Sequence, residues 1–570
     1  MPYPVRETSN MSSDSFPPPG ARNQTDVYAV HGADPEILAY AMAKYSRSAL
    51  SMRESLTEIS SQRAEQFLNT FYFQYGHRSI ADLAHIAFAV ERLSLLAAIV
   101  LVDEQRWDGQ ERSTRYQNFM KSGWYLPEFG ADAASEKLYA ETVNNLFSTY
   151  QKTTAAVQEV LRRKVERPEA LKQENYDRTL KARAFDVARY LLPLCTNTSL
   201  GQIVSARALE TQVSRLVSSP IAEVRELGNK LREAATGPAW NINTAAAAAF
   251  VEKLKAAEAV ATSKVHQVSG HDFSRAVNAQ LEGGALAPEG SLAAEAEQLF
   301  TREIRTAPTL VKYAQPNAYL METRTELEQA ATEILEKLPV APALLVDLVE
   351  RTESLEVELA ATLLYSASHH SYRQIRDLVS GLPASRVSEI IDLGLKHRGR
   401  HDEALRAFHA GAALRFDILM DIGGFRDMHR HRRCTQIMQG FTSIHGYDTP
   451  GGADLGEGVN ILAEAGVLNE YQSAIESAYK ASAQIAVGNS TEAASSALYL
   501  LPLATRIRCL FKMDWAEAQY ISELRSGPAG HFSYRRVAWE MYKAVEQQHP
   551  SLAKHIRVTD FTQPIDMLQR

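Results

Sequence analysis

Two short segments of this 570-residue chain carry side chains suited to binding an oxyanion. They are Glu111-Arg-Ser-Thr-Arg-Tyr116 and His429-Arg-His-Arg-Arg433. A guanidinium group can pair two oxygens of a phosphate at once, and a serine hydroxyl can donate a further hydrogen bond. Arg115 and Ser113 therefore predict contacts to a phosphate group. Glu111 would repel the same phosphate, so we expect it to act elsewhere on a ligand or through water.

Both segments also have structural interpretations. The basic run could form a solvated turn or contact RNA. A metal site built from His429 and His431 is disfavoured because the adjacent guanidinium groups would repel a cation, so we predict no metal. Ser113 could instead cap the N-terminus of a helix, which would still direct backbone N–H groups at a phosphate.

Bulk composition excludes several classes of protein. The formal net charge of −7 lacks the basic excess of proteins that hold nucleic acid through its phosphates, so we predict no nucleic-acid partner. The three cysteines show neither metal-type nor disulfide spacing, which favours a reducing cytoplasm. One of them, Cys434, could have a thiol pKa lowered by the neighbouring arginines or could simply fill space. The longest apolar stretch, residues 81–102, is interrupted by charged side chains and predicts a buried helix, not a membrane span.

Helical periodicity dominates the elements that must position these residues. We predict helices over residues 35–46, 53–73, 79–102, 134–163, 176–194 and 204–235. A stretch rich in Gly and Ala at 271–297 predicts a linker between two domains, 25–270 and 298–570. Residues 1–24, rich in Pro, Ser and Asn, predict a disordered arm without a secretory signal.

The two predicted domains share markers in the same order. Tyr190-Leu-Leu-Pro-Leu194 is followed by a threonine one residue later, and so is Tyr499-Leu-Leu-Pro-Leu503. A Tyr-Ser pair precedes a His-Arg pair at the same separation in each half, namely Tyr45-Ser46 before His77-Arg78 and Tyr365-Ser366 before His397-Arg398. Three markers in one order predict an internal duplication.

The first half contains Gly76-His77-x-Ser79, then Ser94, then Ser113-x-Arg115-Tyr116. It resembles the flavin-dependent thymidylate synthases, whose signature runs Arg-His-Arg, then Ser, then Ser-x-Arg-Tyr. In this half Asp103-Glu104-Gln105 takes the place of Arg-His-Arg.

The second half resembles the same family in the complementary part of the signature. Arg430-His431-Arg432 lies at the spacing from Asp421 that Asp103 has from Ser94. Gly440 and Thr442 stand where the first half has its serine and arginine. Because the losses are reciprocal, the resemblance implies one composite site assembled from both halves.

The resemblance also implies the architecture. We expect a fold of the α/β (α+β) class with two tandem domains, each a small, mostly antiparallel sheet packed with long helices, arranged as a pseudo-dimer. The active sites of the family lie between the subunits of a homotetramer. Two copies of this double chain would mimic it as a homodimer.

Ligand roles follow from the same resemblance. FAD would be held by His77, Ser79, Arg430, His431 and Arg432. The substrate dUMP would be held by Glu111, Ser113, Arg115, Tyr116, Arg189, Arg215 and Arg525. Catalysis would depend on Arg430, His431, Arg432 and Arg215. A guanidinium group stabilises the negative charge of reduced flavin, and His431 could shuttle protons near neutral pH. Arg215 and Arg525 could equally form ordinary surface ion pairs.

The implied reaction is methylation of dUMP to dTMP, with NADPH reducing the flavin and methylenetetrahydrofolate supplying the one-carbon unit. A catalytically degenerate flavin- or nucleotide-binding protein, a methylase of another uridine nucleotide and a helical scaffold are the alternatives. Survival of complementary motif parts in the two halves favours the enzyme, because random decay would not spare them selectively.

Overall fold

The computed structural model describes residues 34–44, 80–120, 122–241, 244–268, 303–311, 314–341, 343–349, 353–398, 405–408, 414–451, 459–487, 491–554 and 556–569. The predicted arm and the predicted linker lie outside these residues, as do His77 and Ser79. The boundaries proposed for the two domains therefore stay predictions.

The first half contains a three-stranded antiparallel sheet. Its strands are β1 (His85–Ser94), β2 (Asp108–Glu111) and β3 (Asn197–Ser205), in the order β1-β3-β2. Its helices are α1 (Pro35–Lys44), α2 (Leu95–Leu101), α3 (Ala133–Lys164), α4 (Gln173–Ala188), α5 (Ala206–Val217), α6 (Ala222–Thr236) and α7 (Thr244–Val268).

The second half contains a four-stranded antiparallel sheet. Its strands are β4 (Val346–Leu348), β5 (Leu414–Asp421), β6 (Thr435–Met438) and β7 (Arg506–Met513), in the order β4-β5-β7-β6. Its helices are α8 (Ala318–Leu335), α9 (Leu355–Ser366), α10 (Tyr372–Ser380), α11 (Ala384–Leu395), α12 (Ile422–Met428), α13 (Ile461–Glu464), α14 (Leu468–Ala486), α15 (Thr491–Leu498), α16 (Trp515–Ser526), α17 (Phe532–Gln548) and α18 (Pro550–Ala553).

The long helix α3 shows why these segments are helical. Asp132 accepts a hydrogen bond from the Ser135 backbone N–H at 3.0 Å and so caps its first turn. Glu136 lies in the first turn and three basic residues lie in the last, which complements the helix dipole. Its buried face, which includes Tyr139, Leu146 and Tyr150, belongs to the main hydrophobic core.

Equivalent backbone contacts recur in the two halves and confirm the duplication. Ser94 caps α2 and Asp421 caps α12, each at the end of the corresponding strand. Gly123 and Gly446 both adopt positive φ and accept a hydrogen bond from the first residue of β3 and β7 respectively. Only glycine adopts this backbone conformation without strain, so the same turn has survived in both copies.

The two Leu-Leu-Pro-Leu segments join the halves. The Leu194 N–H donates to the Leu501 carbonyl at 3.0 Å, and reciprocally the Leu503 N–H donates to the Leu192 carbonyl at 2.9 Å. Pro193 faces Pro502 in an isolated antiparallel bridge. This reciprocity is that of an approximate two-fold axis, so the two α+β halves form the expected pseudo-dimer.

The helix predicted over residues 79–102 is wrong. Most of this segment forms β1, and only Leu95–Leu101 is helical. An Ala-rich apolar run of this length fits either period, and pairing along β3, which lies about a hundred residues later in the chain, selects the strand. The helix predicted over 204–235 is likewise two helices, α5 and α6, separated by a short turn.

The main core extends across both halves, and a second apolar cluster lies among α8 to α11. Within the described residues, no helix is both long and apolar enough to cross a membrane.

Candidate functional site: an anion cleft between the two halves

Arg189 lies directly after α4 in a short 3-10 turn, and its side chain is 2% exposed. Its Nη1 lies 3.3 Å from Asp427 Oδ2 and 3.5 Å from Thr114 Oγ1. Its Nε and Nη2 are buried and have no hydrogen-bond partner among the described residues. A buried guanidinium with two unpaired nitrogens is costly, so this side chain is arranged to meet an anion.

Arg189 forms one wall of a cleft between the halves. The cleft is narrow, with a cavity volume of about 10 Å³, and is lined by Arg112, Ser113, Thr114 and Arg189 of the first half and by Gly423, Arg426, Asp427 and Arg430 of the second. A Cβ at Gly423 would lie 3.5 Å from Arg189 Nε and 3.1 Å from an Asp421 oxygen. Glycine at 423 therefore leaves open the space that the guanidinium faces.

The cleft carries a net positive charge. Arg112, Arg189, Arg426 and Arg430 contribute four guanidinium groups, and Asp427 and the adjacent Glu111 contribute two carboxylates. Glu111 is paired with Arg426 across the junction. Although burial alone would raise the pKa of Asp427, Arg189 and other arginines lower it to about 2, so this carboxylate is ionised at neutral pH.

Ser113 lies in this cleft but does not cap a helix. Residues 114–116 form a turn, and the Ser113 hydroxyl accepts the Arg115 backbone N–H at 3.2 Å. Tyr116, the last residue of the predicted signature, is 56% exposed on the surface.

Arg115 turns away from the cleft. Its Nε and Nη2 donate to the two carboxylate oxygens of Asp186 at 2.8 and 3.2 Å, and its Nη1 donates to the Tyr534 hydroxyl at 2.7 Å. This bidentate ion pair raises the arginine's pKa above its ordinary value against the effect of burial. Arg115, which was predicted to bind phosphate, is therefore a buried side chain that links α4 to α17.

The Arg-His-Arg segment is divided between two environments. Arg430 lines the cleft and is 40% exposed, with a loose 4.0 Å contact to Asp427. Arg432 points elsewhere: its guanidinium lies 4.9 Å from the Trp107 ring centre and donates to the backbone carbonyls of Val102 and Glu104. Burial lowers the pKa of Arg432 to about 10, so it keeps its charge at neutral pH.

His431 is buried beside α16. Its Nε2 accepts a hydrogen bond from Arg525 Nε at 2.8 Å, and its Nδ1 lies 3.5 Å from a Glu517 oxygen. Burial lowers the imidazole pKa, and Arg525 lowers it further. The ring is therefore neutral with its proton on Nδ1, and it orients Arg525 instead of exchanging protons near neutral pH.

Arg215 also forms an ion pair, as one sequence interpretation held. Its Nε and Nη2 lie 2.8 and 2.7 Å from the same Glu104 oxygen. Counted from the caps of α5 and α16, Arg215 matches Leu524, and Arg525 stands one position later. Arg215 contacts Glu104 and Arg525 contacts His431, and these two partners occupy equivalent positions in the two halves. The two arginines themselves do not.

The structure brings Ser113, Arg189 and Arg430 together in one cleft, with Glu111 paired to the cleft residue Arg426. It does not bring Arg115, Tyr116, Arg215, His431, Arg432 or Arg525 into that lining. The sequence interpretation missed Arg426 and Asp427. A signal was available, because these polar residues lie in α12 where the equivalent helix α2 is entirely apolar.

Cys434 is buried, and its Sγ donates to the His431 carbonyl. Burial raises its thiol pKa to about 12, so the neighbouring arginines do not produce a lowered thiol pKa. Among the residues that the structure describes, no three His, Cys, Asp or Glu side chains form a group that could hold a metal ion.

The fold and the cleft define a class of protein: two fused α+β copies with an arginine-lined cleft at their junction. The family model described as thymidylate synthase complementing protein matches residues 28–237 and again 347–551, which is more than half of the chain. The chain therefore belongs to this family and contains its domain twice.

Two relatives are similar along nearly their whole length. A UPF0159 protein of Chlamydia muridarum is 25% identical over 93% of this chain and 91% of its own length. A UPF0159 protein of Thermoplasma acidophilum is 24% identical over 91% and 94% respectively. A crystal structure of flavin-dependent thymidylate synthase ThyX from Helicobacter pylori, complexed with FAD and dUMP, is 16% identical over 35% of this chain and 89% of that chain, with a TM-score of 0.23. These structural values are too low to add to the family assignment.

Proposed function

We propose that this cytoplasmic protein binds dUMP and FAD at the cleft between its halves and methylates dUMP to dTMP with methylenetetrahydrofolate and NADPH. Family membership supports the reaction class, and the unpaired, buried nitrogens of Arg189 carry the proposal for the nucleotide. Their paired geometry suits two oxygens of a phosphate.

The cleft residues have distinct roles in this proposal. Arg189 binds the phosphate through Nε and Nη2, and the Ser113 hydroxyl donates to the same group. Arg430, which is partly exposed at the cleft, faces both ligands and stabilises negative charge on the flavin ring. Asp427 holds Arg189 by its Nη1, and the Glu111–Arg426 pair fixes the junction.

Bound FAD would supply hydride transfer, and the protein would supply orientation and charge. Arg432 and His431 are positioning residues here, because Arg432 Nη1 donates to backbone carbonyls and the His431 ring accepts from Arg525. His77 and Ser79, predicted to hold FAD, stay predictions. We also propose that two chains associate as a homodimer that mimics the family tetramer.

A second candidate is a degenerate protein that binds the nucleotide without catalysis, or acts on another uridine nucleotide. Two arginines with predicted ligand roles favour it, because Arg115 is bound to Asp186 and Arg215 to Glu104. A guanidinium group held by a carboxylate must break that pair before it can serve a substrate.

The visible absorption spectrum of the purified full chain, before and after addition of FAD and then dUMP, tests both candidates. We expect bound FAD whose spectrum changes with dUMP, and dTMP formation once NADPH and methylenetetrahydrofolate are added. FAD and dUMP binding without dTMP would select the degenerate protein. A colourless protein that takes up no FAD would contradict the proposal.

Arg430→Ala should abolish the response of the flavin spectrum to dUMP. Arg433→Ala is the matched control, because Arg433 is the adjacent exposed arginine and pairs with Asp514 outside the cleft. Equal responses of the two variants would remove Arg430 from the site.

A further inference from the structure

Arg508 on β7 shares the unusual feature of Arg189, and so does Arg415 on β5, whose Nη1 pairs with Glu353. The Arg508 side chain is 1% exposed, and its Nη1 donates to Asp417 Oδ2 at 3.1 Å. Its Nε and Nη2 are buried without a hydrogen-bond partner within the described part of the chain.

Other arginines of this protein show that the arrangement is not required by an ion pair. Arg373 donates from Nε and Nη2 to the two oxygens of Asp347 at 3.0 and 2.9 Å. Arg508 donates to Asp417 Oδ2 only through its Nη1. Asp417 Oδ1 accepts the Tyr365 hydroxyl at 2.8 Å. The two-donor edge of Arg508 is therefore turned away from its carboxylate.

Further unpaired polar atoms belong to nearby residues: His369 and His445 interact electrostatically with the Arg508 guanidinium group, and Ser368 directly precedes His369. Ser368 Oγ, His369 Nδ1 and His445 Nε2 are all buried without a partner among the described residues. The rings of His369 and His445 are in edge-to-face contact, with centroids 6.0 Å apart. His369 lies 3.9 Å from the position of a Cβ on Gly440, which directly follows Gln439, and Gln439 donates its backbone N–H to the Arg508 carbonyl.

Electrostatics link the same groups. Burial lowers the pKa of both imidazoles, and Arg508 lowers each of them further. The two rings are half-buried, so this arrangement meets solvent on one side and Arg508 on the other. At neutral pH the histidines are uncharged, and the guanidinium group is the charged donor.

We propose that Arg508, Ser368, His369 and His445 form a second oxyanion site, located in the second half only, that takes a phosphoryl or carboxylate group. The Nε and Nη2 edge of Arg508 pairs two oxygens of the ligand, and Ser368 and the imidazoles bond its remaining oxygens. In the first half, Ser199 stands at the position of Arg508, counted from Thr196 and Thr505, and Ala89 stands at that of Asp417, because the register of β1 shifts between Glu91 and Leu93. The site is therefore not a copy of the cleft between the halves.

Calorimetric titration of the full chain with inorganic phosphate tests the site. Arg189→Gln and Arg430→Ala are introduced first to disable the cleft between the halves, so the outcome is independent of the function proposed for that cleft. We expect one phosphate per chain in this background. Replacing Ser368 and His369 by Ala should weaken it about tenfold or more, since both are half-buried and tolerate truncation.

Arg508→Ser gives the residue of the first half and should abolish the binding, and Arg373→Gln is the matched control that leaves it unchanged. If Arg508→Ser fails to fold, the Ser368 and His369 variant decides. Acetate that displaces phosphate assigns the site to carboxylates, and acetate without effect assigns it to phosphoryl groups. No phosphate binding in the cleft-disabled background, or unchanged affinity in the Ser368 and His369 variant, would overturn the proposal.

Discussion

Corresponding strands of the two sheets, β1 with β5 and β3 with β7, carry different kinds of side chain at matching positions. In the second half, Arg415, Asp417, Arg508 and Lys512 are each 1% exposed and form ion pairs with Glu353, each other and Glu358. Their counterparts in the first half, taken from the strand register with its shift between Glu91 and Leu93, are Ala87, Ala89, Ser199 and Ile203. The two halves therefore share the arrangement of these strands, but the side chains at these positions are charged only in the second half.

The junction shows the same divergence. Asp103 and Glu104 of the first half stand where the second half has Arg430 and His431. Asp103 lies 2.5 Å from Arg406 Nη1 and 3.1 Å from His429 Nε2 of the other half. These groups lower the pKa of Asp103 well below its usual value, against the effect of burial.

Opposite charges at equivalent positions are impossible in a symmetric homodimer, because an isologous interface presents the same residue on both sides. Fusion of the copies removed that restriction. Each copy can then keep a different part of a shared site, which is what the reciprocal motif losses predict. The four changes that follow exchange residues between the halves or break contacts that distinguish them.

The largest effect is expected from Lys512→Ile, which inserts the residue of the first half. Glu358 would lose the ammonium group that lies 3.1 Å from it and remain buried, costing about 3–5 kcal/mol in the free energy of unfolding. Leucine occupies the equivalent position of α1. Adding Glu358→Leu should recover most of the lost stability, because a packed apolar pair can replace a buried ion pair without loss of stability. Urea unfolding followed by circular dichroism measures both, and an unaltered single variant would show that the network contributes no pairing energy.

Arg189→Gln should weaken dUMP binding about 100-fold, or about 2.7 kcal/mol, because it removes a charged two-donor contact to the phosphate. Leu498 is the counterpart of Arg189 in the second half, so Leu498→Gln is the control and should leave the affinity unchanged. Calorimetry gives both constants. Equal losses in the two variants would mean that the nucleotide does not distinguish the halves.

His445 makes the second half sensitive to acid. Burial, with Arg508, His369 and Arg506, lowers its pKa from 6.5 to about 4. The unfolded chain binds a proton on this ring between those values and the folded chain does not, so stability present above pH 6.5 is lost as the pH falls towards 4. Serine is the residue that precedes the equivalent glycine of the first half. His445→Ser should therefore reduce the loss of unfolding free energy at acid pH by about 1 kcal/mol, a value lowered for solvent screening. Thermal melts at pH 7 and pH 4.5 compare the two proteins, and parallel curves would contradict the assignment.

The smallest effect is expected from Arg215→Gln. The Arg215–Glu104 pair is partly exposed, so its loss should change the free energy of unfolding by about 0.5 kcal/mol and leave dUMP and FAD binding unaltered. Spectral titration and urea unfolding check this. Loss of nucleotide binding in this variant would instead indicate that Arg215 contacts the nucleotide. The ligand would then have to displace Glu104 from Arg215.

Several features were predictable from the sequence because they depend on local pattern or on repetition. The repeated Leu-Leu-Pro-Leu segments indicated the duplication, and they now form the reciprocal contacts of the junction. The signature residues indicated the family, which the family model confirms. Ser113 and Arg189 of one half and Arg430 of the other were predicted to share a site, and the structure lines one cleft with them.

Only the tertiary structure could decide which of the arginines face that cleft. A guanidinium group binds whichever carboxylate or carbonyl lies nearest in space, and those partners are far away in the chain: Asp186 and Tyr534 for Arg115, and the carbonyls of Val102 and Glu104 for Arg432. Long-range pairing also explains why β1 is a strand although a helix was predicted there. Its pairing with the distant β3 outweighs a weak local preference. Residue type and spacing determined which groups this protein has for binding an anion, and long-range packing determined which of them are left unpaired to do it.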